Sequence, residues 1–220
     1  ASDKTLLRAD LEWIRDGDTM TANVEQAFMT YTLPHAWDFT FGKFNAPIGF
    51  ELLDPTDMYQ YSHALVFDNG LPTNLTGAMV DFGFAEQFHF AGYIVNGWDA
   101  NAAAGKNPTF GGRLGYATGG FGGGVSAITG KQELDLGNPT LTPVTRTVFD
   151  VDLSYATGPW LFGGEYNMGT ATVAGVDAEW TGFLVMTQAA LYAWLLSLAL
   201  LIATPRGQGT PERPDLLRIG

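Results

Sequence analysis

The sequence predicts an all-β protein, an antiparallel up-and-down β-barrel whose strands cross a membrane. Three observations carry this: apolar and polar residues alternate with a period of two, the connections are short at one end and long at the other, and the composition is poor in charge but rich in Gly and aromatics. Of the 220 residues 28 are Gly, 13% are aromatic and only 15% are charged. An average soluble domain has about 25% charged residues and about 7% Gly. A soluble β-sandwich alternates too. It is disfavoured because bulky apolar residues recur on one face of nearly every strand, while the other face reads as polar and leaves no second apolar layer for a core.

About ten strands can be read in order. The first covers 5–15, where Leu7, Ala9, Leu11 and Trp13 alternate with Arg8, Asp10 and Glu12. The second covers 21–33, and the third 37–44, with Trp37, Phe39 and Phe41 against Asp38, Thr40 and Gly42. The fourth, 77–84, sets Ala78, Val80, Phe82 and Phe84 against Asp81 and Gly83; the next three cover 88–97, 109–116 and 121–130. In 144–156, Thr147, Phe149, Val151, Leu153 and Tyr155 oppose Arg146, Asp150, Asp152 and Ser154. In 160–168, Trp160, Phe162, Tyr166 and Met168 oppose Gly163, Glu165 and Asn167. In 176–187, Val176, Ala178 and Trp180 oppose Asp177, Glu179 and Thr181. A tilted membrane strand needs about 9–11 residues, which most of these supply.

Short connections fall at 33–36, 85–87, 117–120 and 156–159, and longer ones at 16–20, 45–76, 98–108, 131–143 and 169–175. Two short turns nearly repeat, Tyr116-Ala117-Thr118-Gly119-Gly120-Phe121 and Tyr155-Ala156-Thr157-Gly158-Pro159-Trp160. In each, Gly supplies the turn geometry between two flanking aromatics. Those aromatics are expected to form one interfacial girdle.

Composition excludes several functions. With no Cys there is no disulfide, thiolate metal site or cysteine nucleophile, and three His leave little for a histidine metal site. A net charge of −12 argues against nucleic acid as a partner. The opening Ala1-Ser2-Asp3 shows no charged-then-apolar leader, so a secretory signal is expected to be absent or already removed.

The stretch Phe41-Gly42-Lys43-Phe44-Asn45-Ala46-Pro47-Ile48-Gly49-Phe50-Glu51 resembles the G-K-F-x-x-P-x-G-x-E signature of the OmpL-like β-barrel porins of Gram-negative outer membranes. Ser62, Leu71-Pro72, Thr76-Gly77, Val95-Asn96-Gly97-Trp98-Asp99 and Gly112-Arg113-Leu114-Gly115-Tyr116 follow in the order of that family, so the resemblance covers roughly 24–167. It implies a channel for passive diffusion of small hydrophilic solutes, with outer-membrane lipid as a partner and no catalytic residues, metal or cofactor. Oligomerisation, common among porins, is carried by no residue here.

The sequence departs from the family in two ways. Members are longer, and such barrels end on a strand with a terminal aromatic, whereas this chain ends Arg218-Ile219-Gly220, so the barrel reads as unfinished. From Ala189 to Ala203 the sequence is an uncharged apolar run, followed by a tail rich in Pro, Arg and Gly. The expected division is a barrel over 1–187 and an atypical segment over 188–220. That segment is read as a frameshifted reading frame or as an apolar helix plugging the barrel; a membrane-spanning helix would need about 20 residues.

Parity assigns Arg8, Asp10, Glu12, Asp38, Asp81, Arg113, Arg146, Asp150, Asp152, Glu165, Asp177 and Glu179 to the lumen, an excess of acids that predicts a weakly cation-preferring pore. Local pairs, Arg8 with Asp10 and Asp150 with Arg146, would neutralise part of it. The long loop at 45–76 is expected to fold inward as a constriction carrying Glu51, Asp54, Asp57, Tyr59, Tyr61 and His63, or else to stay outside and solvate its charges. Other motifs carry less. The Gly119–Gly124 run lacks the Lys-Ser/Thr pair and helix of a phosphate loop, and Asp54 with Asp57, or Asp99 with Asn101, fall short of a calcium loop. The alternatives are a structural or adhesive barrel without a channel, its lumen filled by the loop and tail, and a soluble sugar-binding sandwich.

Overall fold

A computed structural model describes residues 4–34, 37–54, 58–60, 62–103, 105–135 and 141–189. Period-two alternation yields ten strands: β1 (Thr5–Asp16), β2 (Thr19–Leu33), β3 (Trp37–Asn45), β4 (Asn74–Gly83), β5 (Phe88–Val95), β6 (Thr109–Thr118), β7 (Phe121–Leu134), β8 (Thr142–Thr157), β9 (Trp160–Val173) and β10 (Val176–Ala189). They form one sheet in sequence order, with antiparallel neighbours. Among the described residues no β1–β10 pairing occurs, so the sheet is not closed. A six-residue helix, α1 (Leu65–Gly70), lies in the stretch after β3 that reads as a loop in the sequence.

Two connections read as long loops are tight hairpin turns. β1 and β2 turn through Gly17-Asp18, and β9 and β10 through Ala174-Gly175, with Gly17, Ala174 and Gly175 all at positive φ (58°, 50° and 84°). The residues beside these turns belong to the strands: β1 runs to Asp16, β2 starts at Thr19, β9 runs to Val173 and β10 starts at Val176. The long loops at this end are therefore those after β3, β5 and β7.

Ala1–Gln188 form one compact unit and Ala189–Gly220 a second. Of the second, only Ala189 is among the described residues, so the expected apolar helix or misframed tail lies outside them. Asp57, Tyr61 and His35 also lie outside. No helix among the described residues is long and apolar enough to cross a membrane.

The outer face is apolar through its middle and changes at both ends. Aromatics chain around the short-turn end: Trp37 stacks on Phe82 at 4.2 Å, Phe84 on Phe88 at 5.6 Å, and Phe88 meets Tyr116 at 4.9 Å. Tyr116 meets Phe121 at 6.1 Å, and the register continues the belt through Tyr155 to Phe162. Amphipathic rings favour this depth at a membrane surface. Towards the long loops the same face turns polar in rows, Thr129–Thr147–Thr170 and Lys131–Thr145–Thr172.

Leu153, 52% exposed, sits in the apolar band between these limits. Leu153→Arg is expected to destabilise the folded protein by about 2–4 kcal/mol. Ser154→Arg, on the opposite face, is expected to cost far less. Urea unfolding from lipid vesicles measures both, and equal costs would contradict the assignment of faces.

The inner face departs from the expectation of a purely polar lining. Register places Met79, Tyr93, Gly111, Ile128, Val148 and Gly169 in one row across β4 to β9. With Phe44, Leu75, Val95 and the loop residues Ile48, Phe67 and Leu71, members of this row form a buried apolar cluster. The next row towards the short turns is polar: Asp38, Asp81, Ala91, Arg113, Ser126, Asp150 and Asn167. Below it run His89, Gly115, Gly124, Asp152 and Glu165. The glycines are explained by this crowding. A Cβ on Gly111 would lie 2.3 Å from the Tyr93 ring, one on Gly115 2.0 Å from His89, and one on Gly124 2.5 Å from the Arg113 guanidinium. Each large side chain lies flat over a bare backbone on the adjoining strand.

Candidate functional site

The loop at 46–73 crosses the inner face, although its ends join adjacent strands. Three anchors hold it to strands other than the two it joins. The Phe50 N–H donates to Glu165 Oε2 on β9 at 2.6 Å, with the Phe50 ring seated over Gly163, where a Cβ would come within 2.4 Å of it. Arg8 on β1 donates through Nη2 to Asp54 at 3.1 Å. Gly70 of α1 rests on Asn167, and Val66 on Gly182 of β10. Since β9 and β10 lie far from β3 and β4 in strand order, the sheet must curve around the loop.

Within the loop the expected constriction residues mostly hold the loop together. Glu51 is buried, accepts from the Ala64 N–H through Oε1 and Oε2 at 3.2 and 3.1 Å, and accepts from Gln60. It thereby satisfies an N–H at the start of α1. Tyr59 stacks on Phe50 at 5.0 Å. His63 stacks on Phe67 at 4.4 Å, faces Leu52 O at 3.1 Å and lies 3.7 Å from Asp68. Asp99 accepts from the Thr73 and Asn74 N–H groups at 2.8 and 2.9 Å, which fixes the loop's base.

Charged groups on the inner face form three sets. On β1 and β2, Arg8 donates to Asp10 at 2.5 Å, Gln26 to Asp10 at 2.9 Å and Asn23 to Glu12 at 2.8 Å. Glu25 joins them beside Asp54, Glu12 and Asp10. Simple parity misses Glu25 because a β-bulge pairs Asp10 with Gln26 but Leu11 with Val24, leaving Glu25 as the extra residue. On β3 and β4, Asp38 and Asp81 are register partners, with His89 near Asp81. On β6, β8 and β9, Arg113 reaches across Gly124 and grips Asp152 with two bonds of 2.5 and 2.9 Å, while Asp150 and Glu165 lie close by.

Two parity expectations are corrected. Asp177 and Glu179 fall on the outer face: Asp177 accepts from Thr172 at 2.7 Å, and Glu179 borders outward-facing Thr147, Phe149 and Met168. Trp180 takes the inner position instead, because Gly169 leaves room for its indole and Trp98 meets it edge-on at 6.4 Å. The second concerns Arg146, which stands 5.3 Å from the Trp98 ring in a cation–π contact rather than pairing with Asp150. Among the described residues no group of three or more histidines and acids is arranged to hold a metal ion.

An antiparallel sheet with an apolar, aromatic-belted outer face, a glycine-cushioned inner face of one apolar and one charged layer, and a loop folded across the interior defines a porin-type β-barrel. Residues 5–199 match the family described as "Putative beta-barrel porin-2, OmpL-like", and the chain belongs to that family. Membership carries a channel role rather than an enzymatic one, and it points to an outer membrane. No curated protein matches the chain.

Proposed function

We propose that the protein is an outer-membrane pore for passive diffusion of small hydrophilic solutes, narrowed by its own loop and preferring cations. The observation that carries this is the loop at 46–73, anchored at Glu165, Arg8 and Gly182 across the inner face. A wall bearing Asp10, Glu12, Glu25, Asp38 and Asp81 around the remaining space favours cations, because fixed charges lining a narrow path set its selectivity. Asp177 and Glu179, being outside, play no part in it.

In planar bilayers under a potassium chloride gradient, the reversal potential is expected to show cation preference. Glu25→Gln combined with Glu12→Gln should shift it towards zero without changing the folded state. Anion preference in the unmodified protein would overturn the reading. The apolar cluster of Ile48, Phe67 and Leu71 against Tyr93, Ile128 and Val148 favours a second reading, a filled structural or adhesive barrel. That reading predicts no conductance while the loop is in place.

A further inference from the structure

We propose that Asp150, Glu165 and Asn167 form a site for a hard divalent cation, of the calcium and magnesium class, that fastens the loop to the barrel wall. Charge accounting comes first. Arg113 is committed to Asp152, so Asp150 and Glu165 remain without a cationic partner among the described residues. Asp150 is 0% exposed and Glu165 4%. Asp150 lies against the Gly49 backbone N–H and the Glu165 carboxyl, so the two carboxyls stand side by side with no basic group between them. Glu165 gives Oε2 to Phe50 and leaves Oε1 unpartnered.

Asn167 is an independent sign of a missing ligand. It stands opposite Asp150 in the β8–β9 register, is 0% exposed, and has neither Oδ1 nor Nδ2 hydrogen-bonded among the described residues. Buried polar groups are nearly always satisfied, and two ionised carboxylates side by side in a low dielectric repel each other strongly. One cation removes both problems. The available donors are all oxygens, the amide being free to turn its oxygen inwards, and oxygen donors select calcium or magnesium. Because Glu165 also holds Phe50, the ion would stiffen the loop's first anchor.

The site does not depend on conduction, so its failure and that of the pore reading are separable. The test is isothermal titration of the full chain, folded in detergent micelles and stripped with EDTA, with calcium chloride and then magnesium chloride. The expected result is about one ion per chain, with the thermal midpoint raised by roughly 5–10 °C at a hundredfold excess over Kd. Asp150→Asn and Glu165→Gln should lose both effects while keeping the heat-modifiable migration of a folded barrel. Asn167→Asp, which adds a ligand charge, should bind more tightly. No ion bound by the folded wild type would overturn the proposal, and an Asp150→Asn variant more stable than wild type would then mean that the two carboxyls share a proton. Undiminished binding in Asp150→Asn would overturn it too.

Discussion

Replacing residues 52–68 with a short Gly-Ser linker is expected to raise single-channel conductance severalfold while leaving the barrel folded. The replaced stretch takes up interior space by packing α1, with Phe67, against the wall, and it contributes nothing to the strand ladder. The ladder at the loop's base survives, with Asn45 paired to Asn74 and their side chains bonded at 2.9 Å. Changing the loop length costs little, since halving or doubling it alters closure entropy by only about 0.6 kcal/mol. A point substitution tests the same idea without a deletion. Gly163→Ala places a methyl against the Phe50 ring and should dislodge the first anchor at a cost of about 1–3 kcal/mol, again raising conductance. Planar-bilayer recordings read both, and unchanged conductance in both variants would mean that the loop does not obstruct the path.

Arg113→Met is expected to destabilise the protein by about 3–5 kcal/mol, the usual cost of removing one partner from a buried ion pair. Arg113 and Asp152 side chains are 15% and 5% exposed, and the guanidinium also donates to Ser126 at 3.0 Å, so water cannot take over the released carboxylate. The loss should exceed that of an exposed pair because Asp152, Asp150 and Glu165 would then stand together without a cation from the protein. Adding Asp152→Asn to Arg113→Met should recover a large part of the stability. Urea midpoints in detergent measure this, and a loss below about 1 kcal/mol, the range of surface pairs, would show the pair to be solvated.

Much of the barrel was legible because its signal is local. In β8, Phe149 and Leu153 against Asp150 and Asp152 define two faces through the pleat alone, and the structure keeps them so. The resemblance carried by Gly42, Lys43, Phe44, Pro47, Gly49 and Glu51 was likewise readable, and it marks the stretch that enters the interior. Glu25 was not legible, since a bulge shifts parity by one residue and nothing local announces it. Nor was the inward position of Trp180, for an apolar aromatic suits either face of a membrane barrel until a glycine on the next strand makes room for it.

The sequence by itself determined the strands, the short-turn end with its aromatics, and the resemblance to the porin family, because alternation, turn chemistry and short motifs act over a few residues. Only the tertiary structure decided where the loop goes. It brought Phe50 to Glu165 and Asp54 to Arg8, residues 115 and 46 positions apart. It also decided that the interior has an apolar layer above a charged one. Those outcomes depend on the curvature of the whole sheet, which sets which inward side chains meet and which glycines they cover, and no window of the chain contains that information.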